Sequence, residues 1–435
     1  MSPPSPWRFH FRAKRNGGHL GETAVLFAVA VAARIVYLLI FRPPLESPYL
    51  ALADGLVRER LFGVDGVPST AFEPLYPALL AAGRLLVGER ILLIQIMQAG
   101  IAAFGAVLSY QVALRLTSSR RAATGAGMMF ALHPLLIRQA AAATDLGLAS
   151  TLIVAFALAF VTIRDVRDAM TAGVWLGLTV LTRSMTLPIV LLAAAILLAR
   201  RQPREAVALG VTTVLLVTPM VIRNYILGGS PWPARSGINL YIGNSPYTSA
   251  LLPTYDLDLL EPEAYHRFVR ARPEIASDDP GTTVEFDAFL TRQAIAFMAE
   301  DRWATVRQKA LNVMYILSPR IAPYMVSGPD TRVVIQNHRV VGVEAAVPRS
   351  AAEVAAYAVT TIVLLVGAAA GVYLRRHALL RRDAILWAIF VTFVIVNAVY
   401  VPASRYMAPA QFVLMFYSAV AFARLREGSA DAVVA

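Results

Sequence analysis

The 435-residue chain contains no cysteine, which excludes thiol chemistry, disulfides and any Cys-ligated metal. Lysine is nearly absent as well: of 40 basic residues only Lys14 and Lys309 are lysines. Arginine bias of this degree follows the base composition of a coding sequence rather than a nucleic-acid surface, so no nucleic-acid partner is expected. Charged residues are scarce at 16%, against 57% hydrophobic residues and a mean hydropathy of +0.58, which is not the balance of a soluble domain. The chain has no Gly-rich phosphate loop of the Walker or dinucleotide type, so nucleotide chemistry is not expected. It also lacks the internal repeat that marks inverted-repeat transporters. His266 and His338 stand alone without ligand spacing, and no metal site is expected.

What the chain has in abundance is apolar runs of membrane length. The run 23–41 is long enough to cross a hydrocarbon core of about 30 Å at roughly 1.5 Å per residue. Similar runs at 22–41, 92–116, 121–141, 145–163, 171–182, 184–199, 206–222, 353–374, 384–401 and 404–424 predict an all-α polytopic membrane protein with about ten crossings. Basic clusters at 115–121, 164–167, 200–204, 375–382 and 424–426, with Arg8, Arg12, Lys14 and Arg15 ahead of the first run, place those loops and both termini in the cytoplasm. The first run exceeds a signal peptide's apolar core and no small-residue cleavage pattern follows it, so it is expected to remain as a span. The two short runs flanking Arg183, with Pro188 just beyond, read as half-helices meeting at a break.

The expected organisation is a cytoplasmic tail 1–21, a transmembrane catalytic module 22–222 that includes an outer loop 42–91, an extracytoplasmic segment 223–352, C-terminal transmembrane helices 353–425 and a tail 426–435. In the outer loop, Tyr49, Leu50, Leu52, Ala53, Leu56 and Val57 recur at helical spacing, which predicts an interfacial helix. A second is predicted over 78–87 and a third over 303–317, with Trp303 as its belt residue.

Acids and arginines collect at the predicted outer ends of the spans. Because an ionised side chain in lipid costs several kcal/mol, such residues mark a pocket or an ion path. Arg183, Arg223 and Arg405 suit the bidentate grip of a guanidinium on a phosphate, although snorkelling accounts equally for Arg223 and accounts for Arg34 and Arg138. Asp145 opens a span as a cap or as a functional acid. Glu73, before Pro74, reads as a helix N-terminal acid or a functional one. Asn224, Asn239 and Asn244 lie where turn residues are common. Glu46, beside Pro48, is a solvated loop acid or a general base.

Four segments carry a resemblance: Leu45-Glu46-Ser47-Pro48-Tyr49-Leu50-Ala51-Leu52-Ala53; Phe72-Glu73-Pro74-Leu75-Tyr76-Pro77; Ile222-Arg223-Asn224-Tyr225 with Gly237-Ile238-Asn239-Leu240-Tyr241-Ile242-Gly243-Asn244; and Ser404-Arg405-Tyr406. In order and placement they resemble the integral-membrane C-type glycosyltransferase superfamily. The likeness is to bacterial members that use polyprenyl-phosphate donors, such as protein mannosyltransferases and lipid A aminoarabinose transferases. The resemblance covers about residues 22–250 and the last two predicted spans. It implies an inverting transfer of sugar from a polyprenyl-phosphate donor to an acceptor, which is a lipid, glycan or protein, at the outer face of the plasma or inner membrane. By this resemblance Glu46 is the base. The family usually has Asp there, often one residue farther from the Tyr, so Asp54 and Asp65 stand as alternatives. Tyr49, Glu73, Tyr76, Asp145, Arg183, Arg223, Asn224, Arg405 and Tyr406 are then the candidates for binding substrate and donor phosphate. No cofactor is required, and a divalent cation is compatible with the chemistry. The competing expectations are a lipid-linked-sugar flippase or transporter, which keeps charges deep within several spans, and a non-catalytic envelope-glycan assembly protein, which needs no convergence of acids and arginines.

Overall fold

The computed structural model describes residues 17–43, 47–274 and 284–434. The first and longest-range decision is made by apolar length. Among the described residues, five helical stretches are long and apolar enough to cross a membrane: Leu20–Phe41, Ile91–Thr117, Pro203–Gly228, Ala351–Leu374 and Ser404–Leu425. A sixth arises if Pro134–Ala141 and Leu146–Val161, bent by 118° at their junction, count together. The remaining predicted crossings fall on shorter helices such as Val166–Thr182, Pro188–Ala199 and Ala384–Val399. At about 1.5 Å per residue these fall short of a core of roughly 30 Å.

We number the helices used below in chain order: α1 (Gly17–Phe41), α2 (Pro48–Arg58), α3 (Leu75–Val87), α4 (Ile91–Thr117), α5 (Arg120–Leu132), α6 (Pro134–Ala141), α7 (Leu146–Val161), α8 (Val166–Thr182), α9 (Pro188–Ala199) and α10 (Pro203–Gly228). The predicted span 121–141 is not one rod. Pro134 cannot donate a backbone hydrogen bond and its ring crowds the preceding turn, so α5 ends at Leu132 and α6 begins afresh. Arg34 of α1, fully buried, reaches this break: its Nη1 donates to Ala30 O (2.9 Å) and to Ala131 O (3.1 Å), a carbonyl in the last turn of α5. A cation at the negative end of a helix is favourable there, and the Arg34 Nε and Nη2 stay without a partner among the described residues.

The predicted interfacial helices 49–57 and 78–87 are found as α2 and α3, packed on each other. Between them, Gly63–Val64 and Val67–Pro68 pair antiparallel across the turn residues Asp65 (φ 50°) and Gly66 (φ 77°). The Arg183 break is also found, with α8 ending at Thr182 and a short 3₁₀ turn, Ser184–Thr186, leading into α9.

The chain after α10 forms α11 (Ser236–Ile242), α12 (Thr248–Leu251), α13 (Glu261–Ala271), α14 (Val284–Glu300) and α15 (Arg302–Ile316). It has its own core, in which Tyr241, Leu260, Phe268 and Phe286 meet Val401 and Ala403 from the last part of the chain. Phe268 and Phe286 contact edge to face at 5.3 Å. The predicted helix 303–317 is α15, with Trp303 exposed and Asn312 and Ile316 buried. Then come α16 (Ala351–Leu374), α17 (Ala384–Val399), a 3₁₀ stretch Ser404–Ala410 and α18 (Gln411–Val434). α16 begins with Ser350 accepting the Glu353 N–H, half of a capping box. It packs against α18 so closely that a Cβ on Gly371 would lie 1.9 Å from Tyr417 O.

Candidate active site

The reversal between α6 and α7 leaves Asp145 at the start of α7, where its side chain does not cap the helix. It turns instead to Arg183, whose Nη1 donates to both carboxylate oxygens at 2.8 and 2.9 Å. Arg183 is available because the break between α8 and the 3₁₀ turn holds its backbone extended (φ −149°, ψ 103°). The pair is nearly enclosed. Among the described residues, Nε of Arg183 contacts only Met185 Sδ and Nη2 has no hydrogen-bond partner.

Three other motif segments close on this pair. Glu73, half-buried ahead of α3, accepts the Ser184 N–H at 2.7 Å. It therefore caps the turn after Arg183 rather than its own helix. Burial pushes the Glu73 carboxyl above its usual range, outweighing the Ser184 bond that works to lower it. Tyr49 of α2 faces the same group: burial, then the charges of Asp145 and Glu73, push its phenol well up. Its ring meets Phe72 at 5.0 Å and Tyr76 at 5.1 Å, both edge to face. From the far end of the chain, the Tyr406 ring lies 5.1 Å from the Arg183 guanidinium and 4.8 Å from that of Arg405, a cation–π contact with each.

Arg405 is held by two acids that sequence reasoning missed. Its Nη1 donates to Asp256 at 2.5 Å and its Nη2 to Asp258 at 2.8 Å and to the Tyr406 hydroxyl at 3.1 Å. Two carboxylates share one guanidinium, so their titrations separate. Burial would raise Asp256, but Arg405 outweighs it and holds that acid low. Burial and the neighbouring Asp256 push Asp258 up to about 7. The only sequence signal was an Asp-x-Asp pair in a segment rich in Pro, Asp, Glu and Tyr, with nothing to connect it to an arginine 147 residues away.

The structure thus brings Tyr49, Glu73, Asp145, Arg183, Arg405 and Tyr406 into one group and sets Tyr76 beside it. Arg223 and Asn224 lie elsewhere. Arg223 donates to Ser69 O and Phe62 O, both at 2.9 Å, and sits over the Phe62 ring at 4.9 Å. It fastens the loop before α3 to the end of α10, and Asn224, 1% exposed, accepts from it. The Gly-x-Asn-Leu-Tyr-x-Gly-Asn segment is a joint. The Gly237 N–H donates to Asp287, a Cβ on Gly243 would lie 1.6 Å from Tyr400 O, and Asn244 Nδ2 donates to Leu240 O and Val399 O. Of the alternative bases, Asp54 is paired with Arg84 at 3.0 Å and Asp65 stands exposed in its turn. Glu46 lies outside the described residues. Among the described residues, no three acids or histidines converge to hold a metal ion.

With this geometry in hand, the chain can be placed among known folds. Over 95% of its length it superposes on the oligosaccharyltransferase of Archaeoglobus fulgidus, with a TM-score of 0.53 at 14% identity, and it spans about half, 52%, of that protein. The same protein in complex with Zn and sulfate aligns over 94% of this chain and 49% of its own, at 12% identity and a TM-score of 0.49. ArnT from Cupriavidus metallidurans superposes more loosely, with a TM-score of 0.39 at 16% identity. That match covers 93% of this chain and 78% of apo ArnT, and 92% and 77% for ArnT bound to undecaprenyl phosphate. No family model and no curated protein matches the sequence. At these identities the likeness is one of fold. The chain is a polytopic membrane protein that shares its fold with the part of the archaeal oligosaccharyltransferase it superposes on.

Proposed function

We infer that this chain is a glycosyltransferase that moves a sugar from a polyprenyl-phosphate donor to an acceptor, with inversion, at the extracytoplasmic face of the plasma or inner membrane. The observation that carries the reading is the convergence of Tyr49, Glu73, Asp145, Arg183 and Tyr406, drawn from segments spread over more than 350 residues, at one end of a helical membrane bundle. A flippase reading wants charges deep within the spans. Among the described residues Arg34 is a fully buried span arginine whose Nη1 donates to helix carbonyls, while its Nε and Nη2 have no partner.

In the reaction, the acceptor oxygen bonds to the anomeric carbon as the bond from that carbon to the phosphate oxygen breaks. The acceptor proton passes to a carboxylate and the electron pair leaves with polyprenyl phosphate. The leaving phosphate gains charge, and Arg183 is suited to meet it, since Asp145 occupies only Nη1 and leaves Nη2 for a phosphate oxygen. Arg405 contacts the same Tyr406 ring and is already bound by Asp256 and Asp258. Its part is to hold Tyr406, whose hydroxyl and ring it both contacts. Glu46, three residues before Tyr49, is our assignment for the base: Asp54 is committed to Arg84, and Asp65 sits at an exposed turn. A base positioned in this way typically contributes about 10²–10⁴-fold.

The test is transfer itself. The purified full-length chain in lipid nanodiscs, given polyprenyl-phosphate sugars and a membrane lipid extract as acceptor, should release polyprenyl phosphate in proportion to glycosylated product. Product-independent movement of intact donor across the bilayer, with no phosphate lipid released, would replace this reading with the flippase.

A further inference from the structure

The site is assembled from two halves, and one arginine that the reaction does not use touches both. The first half is the outer loop, with Tyr49, Glu73 and the Phe72 ring, which meets that of Tyr49 at 5.0 Å. The second is the turn 256–261 leading into α13, which holds Arg405 through Asp256 and Asp258. Arg405 in turn holds the Tyr406 hydroxyl. Arg183 depends on each half: the N–H of its chain neighbour Ser184 donates to Glu73, and its guanidinium lies 5.1 Å from the Tyr406 ring.

Arg235 stands at the entry to α11, between these halves. Its guanidinium lies 5.2 Å from the centre of the Phe72 ring, and its Nη2 donates to Glu261, the first residue of α13. Its charge is felt at Asp258 as well. The backbone sets it there, because the Ala234 N–H donates at 2.9 Å to the carbonyl of Thr70, close before Phe72 in the chain. The planar, forked guanidinium suits both partners at once, a ring and a carboxylate, better than a compact ammonium does. Stability is not what this contact chiefly provides. The side chains of Arg235 and Glu261 are 30% and 29% exposed, and a pair so open to solvent adds little to the fold. Geometry is the larger stake, since a misplacement of about 1 Å in a site can cost on the order of 10²-fold in rate. Through Glu261 and Phe72, Arg235 closes a circuit that leaves Arg183 by way of Tyr406 and returns to it by way of Glu73.

We propose that Arg235 is a positioning residue for transfer: by holding Phe72 and Glu261 together, it keeps the outer-loop half of the site in register with the half that carries Arg405 and Tyr406. The role rests on the glycosyltransferase reading, and it acts through Arg183 rather than through contact with substrate.

The experiment compares the full-length wild type in nanodiscs with Arg235→Ala and Arg235→Lys, at saturating and at limiting donor. Arg235→Ala should lower kcat about tenfold, while the KM for donor and acceptor moves by less than about twofold and the thermal midpoint by about 2 °C or less. Arg235→Lys, which keeps a charge for Glu261 but not the planar contact with Phe72, should recover part of the rate, and it carries the same test at a smaller loss if Arg235→Ala does not fold. Combined with Phe72→Leu, Arg235→Ala should lose less than the product of the two separate losses, as residues acting through one contact do. A structural ion pair would instead lower the midpoint and leave kcat per folded molecule unchanged, and a substrate ligand would confine the loss to KM. Either result overturns the proposal, as does a strictly multiplicative double variant. The tie itself is read without turnover. Because the chain has no native cysteine, spin labels on cysteines placed at exposed Leu86 of α3 and exposed His266 of α13 should report one narrow distance in the wild type and a broader distribution in Arg235→Ala. An unchanged distribution overturns the proposal whatever the rate. A wild type that transfers no sugar removes the glycosyltransferase reading and the kinetic role with it, and the label distances then decide the tie alone.

Discussion

Of the places in this molecule where an arginine, an aspartate and a tyrosine meet, two differ in a way that separates a structural ion pair from a site. In the first, Arg375 meets Asp383 fork to fork, Nε to Oδ2 at 2.7 Å and Nη2 to Oδ1 at 2.6 Å, and the Tyr417 hydroxyl adds a bond to the same carboxylate at 3.2 Å. Asp383 is fully buried and its partners are complete. In the second, Arg183 gives Asp145 one nitrogen for both oxygens, its Nη2 has no partner among the described residues, and its neighbours arrive from α2, the loop before α3 and the stretch before α18. In the first triad the arginine and aspartate are eight apart in the chain and the tyrosine closes over them from 34 residues beyond. The second is assembled from distant segments and left open, which is the condition for binding something else.

The comparison breaks most visibly at the closed triad. Arg375→Ala should strand a buried carboxylate and destabilise the fold by about 3–5 kcal/mol, read as a lower thermal midpoint in detergent, while the transfer rate per folded molecule is unchanged. A loss of rate without a loss of stability would mean the two triads are not different in kind.

At the open site the effect should be kinetic. Glu46→Gln should retain donor binding and lose transfer by about 10² or more, and Glu46→Asp should keep part of it. Asp54→Asn and Asp65→Asn are the controls. If one of these is dead while Glu46→Gln turns over normally, the base moves to that residue, and full activity in all three ends the role of this loop in catalysis.

A smaller effect is expected across the Tyr406 ring. Arg405→Lys keeps the charge but cannot bridge Asp256, Asp258 and Tyr406 at once, and should slow transfer at limiting donor about tenfold. An unchanged rate would detach Arg405 from the site.

The least effect belongs to the acid pair on Arg405 and is a matter of pH. Asp258 is pushed up to about 7, by burial and then by Asp256. An acid held above its ordinary range favours the fold when protonated: that contribution is complete below the usual carboxylate range and is lost as pH rises through about 7. The wild type should therefore lose thermal stability between about pH 4 and 7 relative to Asp258→Asn, which cannot titrate. Parallel melting curves for the two proteins over that range would show that Asp258 has an ordinary pKa.

How much of the site could be read beforehand depends on the residue. Tyr49, Glu73, Asp145, Arg183 and Tyr406 stand in local patterns, next to a proline, a helix break or a span end, and such patterns survive in one dimension. Arg223 stood in an equally suggestive pattern, yet its guanidinium binds the carbonyls of Phe62 and Ser69. A charge at a span end looks the same in sequence whether it meets a ligand or a loop. Asp256 and Asp258 had no pattern at all, because the arginine they serve lies beyond an intervening helical segment and α16 and α17. At His133–Pro134 the proline marks a kink in the sequence, but the apolar run 121–141 does not show that the kink divides two separate helices.

The sequence by itself determined that the chain is a helical membrane protein, where its helices break, and which short motifs carry polar chemistry. Each of these follows from the length and composition of contiguous runs, which set the cost of placing backbone and charge in lipid. Only the tertiary structure decided which arginine faces which acid and that Glu73 caps the turn after Arg183. Pairing and desolvation depend on distance in space, and in apolar helices the hydrophobic pattern does not specify which face meets which neighbour.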